Sequence, residues 1–130
     1  MYLIDIILNI FPYFRSLKNY KESSEQSEIF LNRAELIAEG YLHKDSKVTV
    51  KIGSNIRYTT NPNLESLKEL REDLIHQEII ISKNGIYYFA QDYTFNSPSA
   101  AADFIIGGSN NGWDCWKDQY GNKINKSLRD

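Results

Sequence analysis

Cysteine and histidine are scarce in this sequence, and their scarcity excludes several kinds of site. The 130 residues include one cysteine, Cys115, so the chain has neither an internal disulfide nor a zinc site built from cysteines. The two histidines, His43 and His76, belong to no repeated pattern of metal ligands and to no nucleophile motif. We therefore expect no metal, no cofactor and no catalytic residue. A lone cysteine is typical of a reducing compartment, so we expect a cytoplasmic protein.

A long apolar run and a strong positive charge are both lacking. Residues 2–14 are rich in Ile and Leu, but this stretch is too short to cross a bilayer and contains Asp5 and Pro12. It also lacks the basic start and the small-residue cleavage site of a signal peptide, so we expect no membrane partner. The 15 basic residues are outnumbered by 17 acidic ones, which gives a net charge of -2. This balance excludes a protein that coats nucleic acid by charge alone, so any nucleic-acid contact must be local.

Aromatic residues are what the sequence has in excess. Nine Tyr, six Phe and two Trp make up 13% of the chain, and such residues fill strands and cores and also form binding surfaces. The hydrophobic fraction of 42% and the charged fraction of 25% are those of an ordinary globular protein. A chain of 130 residues has the usual size of a single domain.

The start of the chain differs in pattern from the rest. Apolar residues recur at helical spacing over residues 3–11, which predicts a short amphipathic helix that ends at Pro12. Residues 18–26 are polar and show no apolar periodicity, as is typical of a linker. We therefore divide the chain into an N-terminal helix with a polar linker, residues 1–26, and a domain that spans residues 27–130.

Short runs of alternating apolar and polar residues predict antiparallel strands. These runs span residues 28–32, 34–42 and 47–52. The strongest hairpin signal is Asn84-Gly85, which lies between the apolar runs 79–81 and 86–89. Asn-Gly readily adopts the positive φ angles of a tight turn, so these two runs are expected to pair.

Two amphipathic helices are expected in the second half of the chain. Leucines recur on one stripe of residues 64–77, and acidic residues lie on the other faces. A second helix is expected over residues 98–106, because Ser97 can cap its first turn and Pro98 suits its first position. The fold class that we expect is α+β, with an antiparallel sheet of about four to six strands covered by two main helices, plus the short N-terminal helix.

Several motifs follow one another in a specific order through the domain. They are Ala38-x-Gly40-Tyr41, Val50-Lys51-x-Gly53-Ser54, Leu70-Arg71-x-x-Leu74-Ile75, Phe95-x-Ser97-Pro98-Ser99-Ala100-Ala101-Ala102, Gly107, Asn111-Gly112-Trp113 and Trp116-Lys117. Together they resemble the family called domain of unknown function 4357 (DUF4357), which occurs at the C-terminal end of GIY-YIG nuclease-type proteins and in some restriction-associated proteins. The Ser-Pro-Ser-Ala-Ala segment and the downstream Asn-Gly-Trp are also similar to the restriction and adenine-methylase associated (RAMA) domain, a module proposed to help such systems contact DNA.

The resemblance implies a role in DNA transactions, with a nuclease or a methyltransferase as a partner. Neither family brings a biochemical activity with it, so the resemblance implies a context and no mechanism. The GIY and YIG strands of the nuclease are missing from this sequence. We therefore expect an accessory module that is not itself an enzyme.

Two polar motifs contain candidate nucleic-acid contacts. Ser97 and Ser99 begin a predicted helix, whose unpaired N–H groups attract phosphate, although a simple capped helix uses the same residues. Asn110 and Asn111 carry amides that hydrogen-bond to base edges and to phosphates, although a tight turn explains them equally well.

Aromatic and basic residues near these motifs are further candidates. Trp113 and Trp116 would stack on bases if exposed, at about 1–3 kcal/mol for each base, or would anchor the C-terminal segment if buried. Lys51 and Lys117 would contact phosphates if the fold gathers them on one face, and scattered solvated lysines are the alternative. Arg71, on the first predicted helix, is a candidate for an internal ion pair with a carboxylate.

The sequence thus favours a non-catalytic recognition or accessory module, with DNA as the expected ligand and a nuclease or restriction-modification enzyme as its associate. The alternative is a protein-interaction or oligomerisation module that binds no nucleic acid. In that case the apolar N-terminal helix is the expected contact of a homodimer.

Overall fold

The structure, a computed structural model, describes residues 26–33, 35–57, 64–108 and 110–127. The N-terminal helix that the sequence predicts lies outside these residues. In the described part of the chain, no helix has the length and the apolar character that crossing a membrane requires.

Within the described residues, seven strands and four helices follow one another along the chain. The elements are β1 (Gln26–Arg33), β2 (Leu36–His43), β3 (Val48–Val50), β4 (Asn55–Ile56), α1 (Glu65–His76), β5 (Ile80–Lys83), β6 (Ile86–Phe89), β7 (Tyr93–Phe95), α2 (Pro98–Ile106), α3 (Gly112–Cys115) and α4 (Ile124–Ser127). Helix α1 lies within one residue of its predicted bounds, and α2 has the bounds predicted for it. The α+β class is confirmed.

The strands form two antiparallel sheets, although the sequence suggested one. The larger sheet has the order β1-β2-β3-β7, and the smaller sheet has the order β4-β6-β5. The division follows β3, where Gly53 adopts a φ of 93° and donates its N–H to Phe89 in the smaller sheet. Strand β4 is two residues long, so it shows no alternation by which the sequence could have revealed it.

The tight turn of the smaller sheet was predicted correctly. Asn84 and Gly85 connect β5 to β6, and their φ angles are 54° and 81°. Two successive positive φ angles are the geometry that a two-residue hairpin loop requires, and Asn-Gly adopts them at low cost.

Helix α2 lies at the centre of the core. Ala101, Ala102 and Phe104 have no exposed surface, and a helix that is apolar on most sides is stable only when other elements surround it. The helix contacts α1, α3 and strands of both sheets. The Phe104 ring packs 5.7 Å from the ring of Phe89 and 5.3 Å from that of Phe95, measured between centroids.

Arg71 joins α1 to the C-terminal end of α2. The guanidinium donates to the main-chain oxygens of Phe104 at 2.6 Å and of Arg57 at 2.5 Å. The ion pair with a carboxylate that the sequence suggests for Arg71 stays a prediction beside these contacts. Burial, with a smaller contribution from the charge of Arg57, lowers the pKa of Arg71 to about 10, so the group is charged at neutral pH. A positive charge suits this place, because the helix dipole is negative at its C-terminus.

The two faces of β1 differ in polarity. Ile29 and Leu31 are 0% and 1% exposed and belong to the core. Because side chains alternate along a strand, Glu28, Phe30 and Asn32 lie on the opposite face. This opposite face of the larger sheet, which we call the outer face, is the one that positions the candidate site.

Hydrogen bonds cross the outer face from strand to strand. The Nδ1 atom of His43 lies 3.2 Å from the side-chain amide nitrogen of Gln26. The Nε2 atom of the same ring lies 2.7 Å from the hydroxyl oxygen of Thr49. Thr49 shares a further hydrogen bond of 2.7 Å with Thr94 of β7. This network ties together all four strands at the end of the sheet where β1 begins.

Candidate nucleic-acid interface

The two motifs that carry the family resemblance pack directly on each other. The N–H of Gly112 donates to the Ser99 hydroxyl at 3.0 Å, and the indole N–H of Trp116 donates to the Pro98 carbonyl at 3.1 Å. A Cβ at position 112 would lie 2.1 Å from the carbonyl carbon of Pro98 and 2.2 Å from the nitrogen of Ser99. The motifs therefore form one interlocked unit at the start of α2 and α3.

The N-terminus of α2 is occupied by this packing. The Ser97 hydroxyl accepts the N–H of Ala100 at 3.0 Å and so acts as the helix cap. The Ser99 hydroxyl accepts the N–H of Gly112, and Gly112 covers the N–H of Ser99. This finding corrects the expectation that Ser97 and Ser99 present the helix terminus to a phosphate, because their hydroxyls serve the fold.

The two tryptophans have different surroundings. Trp116 has no exposed surface, so it anchors the C-terminal segment and cannot stack on a base. The alternative of burial, rather than base stacking, therefore holds for this residue. Trp113 packs against the core but is only partly buried, so part of its indole ring faces solvent.

Lys51 also lies in the interior. Its side chain is 2% exposed, and its ammonium lies 4.0 Å from a carboxylate oxygen of Glu39 and 5.1 Å from the centroid of the Tyr41 ring. Attraction between the two charges offsets part of the cost of removing both from water. The burial of Lys51 corrects the expectation that it contacts a phosphate, because its charge is used between β2 and the end of β3.

Asn110 is held in place by three neighbours. Its main-chain N–H donates to a carboxylate oxygen of Asp103 at 2.7 Å, and its side-chain amide donates to the carbonyl of Gly108 at 3.0 Å. Its side-chain oxygen accepts from the guanidinium of Arg33 at 3.2 Å, and the same guanidinium donates to the Cys115 sulfur at 3.4 Å. Arg33 is an exposed residue at the end of β1, and no sequence pattern groups it with Asn110, which is 77 positions away.

Asp103 is the carboxylate that orders this loop. Burial raises the pKa of Asp103 above its ordinary value of 3.8, and hydrogen bonds from the main chain and the side chain of Asn110 oppose that effect.

Asn111 begins α3 as its cap. Its side-chain oxygen accepts the N–H of Trp113 at 3.1 Å, and its amide donates to the Asp114 carboxylate at 3.1 Å. Asn111 therefore shapes the turn that leads into α3, which is the structural alternative that the sequence suggests for it. Its side chain is exposed all the same, so it remains accessible to a ligand.

Lys117 brings the C-terminal segment beside β1. Its main chain exchanges two hydrogen bonds of 2.8 Å with Phe30, and a second bridge links it to Lys123. Its ammonium lies 3.5 Å from the carbonyl oxygen of Asp114 in α3. Arg33 contacts Cys115 in the same helix, so both basic side chains contact α3.

The residues that remain accessible form one surface. We call it the C-terminal surface, and its members are Arg33, Asn110, Asn111, Trp113 and Lys117. Asp114 lies among them and is in contact with two of them, so the surface is polar rather than strongly basic.

A cleft of about 570 Å³ adjoins this surface. Strand β1 contributes Glu28, Phe30 and Asn32 to its walls, and the segment after α3 contributes Lys117, Asp118 and Gln119. Lys117 thus belongs to both the cleft and the C-terminal surface.

The sequence matches a known protein family over most of its length. The family described as Domain of unknown function (DUF4357) matches residues 23–128. The chain belongs to the DUF4357 family. The DUF4357 match includes both interlocked motifs and all of β1, so every residue of the C-terminal surface lies within it. Searches of curated proteins and of solved structures found no match.

The DUF4357 motifs and the accessible residues overlap only in part. The motif serines and Trp116 are needed for packing, whereas Arg33, Asn32 and Gln119 lie outside the motifs and are exposed. The pairing of Phe30 with Lys117 determines their positions, and no local sequence pattern predicts that pairing. Among the described residues of this DUF4357 domain, no three His, Cys, Asp or Glu side chains form a group that could hold a metal ion.

Proposed function

We propose that this domain is a non-catalytic recognition module that binds DNA through the C-terminal surface. One observation carries the proposal. Arg33 of β1 and Lys117 of the C-terminal segment both contact α3, the helix that presents Asn111 and Trp113 to solvent.

Each part of the C-terminal surface suits a different part of a nucleic acid. The guanidinium of Arg33 and the ammonium of Lys117 suit phosphate oxygens. The amide of Asn111 suits a base edge or a phosphate, and the exposed part of the Trp113 ring suits stacking on a base. Cations, amides and an aromatic ring within one small area form a more specific combination than any of them alone.

The charge of the chain predicts that binding is weak and sensitive to salt. The net charge is -2, and Asp114 lies within the C-terminal surface. A weak binding module becomes effective when it is linked to a second binding site, because the link raises the effective concentration. We therefore propose that the domain positions a nuclease or a DNA-modification enzyme. The membership in DUF4357 supports this role through the resemblance to modules that accompany GIY-YIG nuclease-type proteins.

Binding of the full chain to labelled single- and double-stranded DNA at low salt tests the proposal. The Arg33→Ala and Lys117→Ala variants are expected to weaken binding by about tenfold each, because each removes a charged contact with a phosphate. The matched control is Lys44→Ala. Since Gln26 pairs with His43, Lys44 lies past the opposite end of β1 from Arg33, roughly 20 Å or more away at about 3.3 Å per residue. Equal losses in all three variants, or no binding of the parent chain, would overturn the proposal.

A protein-interaction module is the second candidate, because two isoleucines are exposed near the junction of the sheets. Ile37 is 57% exposed and Ile86 is 42% exposed. Ile86 also lines a second cleft, of about 390 Å³, together with Leu36 and Ile56. Light scattering separates the candidates. A dimer that dissociates in the Ile86→Ser variant or after deletion of residues 1–14 favours this candidate, whereas a monomer that neither change affects counts against it.

A further inference from the structure

The cleft beside the C-terminal surface has a composition that restricts what it can hold. Two of its side chains, Asn32 and Gln119, end in amides and are exposed. Within the described residues, neither amide has a hydrogen-bond partner. Each amide offers both donors and an acceptor, so the pair is suited to an uncharged polar ligand with groups of both kinds.

Two carboxylates in the cleft argue against a phosphate as its occupant. Glu28 projects from β1, and Asp118 stands at the start of the turn that forms the opposite wall. One oxygen of Asp118 accepts the N–H groups of Tyr120 and Asn122 at 2.9 Å each, which fixes that wall. Like charges repel, so a phosphate placed between these groups would be disfavoured, whereas a ligand with N–H donors would be favoured.

A flat aromatic wall and a cation complete the cleft. Phe30 lies between Glu28 and Asn32 on the same face of β1, and its ring offers a surface for stacking. Lys117 stands at the border between the cleft and the C-terminal surface, where a phosphate attached to the ligand would meet its ammonium.

We propose that this cleft binds one nucleobase, with the adjoining phosphate at Lys117. A nucleobase is planar, uncharged and edged with donors and acceptors, which matches an aromatic ring, two amides and two carboxylates. Ionised carboxylates only accept hydrogen bonds, so bases with an exocyclic amino group are favoured over thymine. The volume of about 570 Å³ lies in the range of small-molecule sites, roughly 300–1,000 Å³.

The placement of this base within a DNA strand rests on the function proposed above, whereas the chemistry of the cleft does not. The base belongs either to a strand, from which it is turned out into the cleft, or to a free nucleotide. Turning out a base costs least in single-stranded DNA, so single strands are the appropriate first probe.

The test compares the binding of eight-residue single strands of dA, dC and dT to the full chain. The parent chain is expected to bind the dA and dC strands about tenfold more tightly than the dT strand, the usual scale of discrimination by amide and carboxylate contacts with bases. The double variant Asn32→Ala/Gln119→Ala is expected to weaken the binding of all three strands, because each amide can pair with any of the three bases. Both side chains are exposed, so the variant is expected to fold normally.

The matched control is Gln77→Ala/Gln91→Ala, which removes two exposed amides away from the cleft and is expected to leave the affinity for all three strands unchanged. If the parent chain binds the three strands equally and only Lys117→Ala weakens that binding, the proposal of a nucleobase cleft is wrong. The proposed DNA-binding function would still hold in that case. Failure to bind any strand would overturn the DNA-binding function.

Titration with dAMP, dCMP and dTMP then identifies the source of the base. If mononucleotides bind with the same preference while strands do not, and the double variant binds the mononucleotides more weakly, the cleft is a site for free nucleotides. If neither mononucleotides nor strands bind in a base-dependent way, the cleft does not recognise a base.

Discussion

The main chain of Gly112 rests on the carbonyl group of Pro98 with no room for a side chain between them. A Cβ at position 112 would lie 2.1 Å from the carbonyl carbon and 2.2 Å from the carbonyl oxygen of Pro98. The contact sets the start of α3 on the start of α2, and it thereby places Asn111 and Trp113 relative to β1. The geometry of the C-terminal surface depends on it.

Replacing Gly112 with alanine is expected to destabilise the fold by about 3 kcal/mol, at the upper end of the usual cost of overpacking. The added carbon meets backbone atoms, which cannot move aside as a flexible side chain can. Denaturant unfolding of the parent chain and the variant measures the difference in the free energy of unfolding.

Gly108 provides the control for this substitution. A Cβ at position 108 would meet nothing within 4 Å, and this glycine is not among those with positive φ. The Gly108→Ala variant is therefore expected to be as stable as the parent or slightly more stable, since alanine restricts the unfolded chain. If both alanine variants have the same stability, the interlock of the two motifs is not what holds α3 in place.

Trp116→Phe is expected to cost about 2–4 kcal/mol, because it leaves a void in the core and leaves the Pro98 carbonyl without the indole N–H. Trp113→Phe is the matched change at a partly buried ring and is expected to cost about 1 kcal/mol or less. Thermal or denaturant unfolding measures both. A larger loss for Trp113 than for Trp116 would contradict the assignment of Trp116 as the anchor.

Arg71→Met is expected to destabilise the fold by about 2 kcal/mol, because the buried carbonyl oxygen of Phe104 loses a charged donor at the end of α2. Burial lowers the pKa of Arg71 to about 10 in the fold, which is still well above neutral, so the loss should be the same throughout pH 6 to 8. Arg57→Met, at an exposed side chain, is the control and should change stability little. A loss that varies over this pH range would show that another group is responsible.

Asp103 is expected to make stability fall as the pH rises from acid toward neutral. The folded state binds this proton more tightly than the unfolded chain does, because burial raises the pKa of Asp103 above 3.8. In the window between 3.8 and the higher folded-state pKa, the folded state therefore binds more protons, and the contribution of Asp103 to stability is lost as the pH rises through that window.

Asp103→Asn removes this titration while it keeps an oxygen that accepts the N–H of Asn110. The free energy of unfolding of the variant should depend less on pH in this window than that of the parent chain. The difference between the two curves isolates Asp103 from the other carboxylates. Parallel curves would mean that its pKa is the same in the folded and unfolded states.

The parts of the fold that the sequence revealed are those with local signals. Helix α2 was predicted from the Ser97 cap, Pro98 and the glycine at its end, and the hairpin turn was predicted from Asn84-Gly85. Each of these signals acts within a few residues of the structure that it determines. The two-residue strand β4 has no room for such a signal, so the division into two sheets was missed.

The candidate site was less predictable, because it depends on contacts between distant segments. Asn110 and Arg33 meet across 77 positions, and Lys117 reaches β1 only through its pairing with Phe30. The motif pattern singled out Lys51 and Trp116, but it could not distinguish a residue that packs from one that binds. Burial makes that distinction, and burial is a property of the whole fold.

The salt dependence of DNA binding tests the central claim most directly. If Arg33 and Lys117 both contact phosphates, the logarithm of the affinity for a short duplex should fall with the logarithm of the salt concentration at a slope of about -2. Arg33→Ala and Lys117→Ala should each reduce the magnitude of that slope by about 1, and Lys44→Ala should leave it unchanged. A slope near zero, or a slope that Lys44→Ala alters as much as the other two variants, would contradict a DNA site on the C-terminal surface.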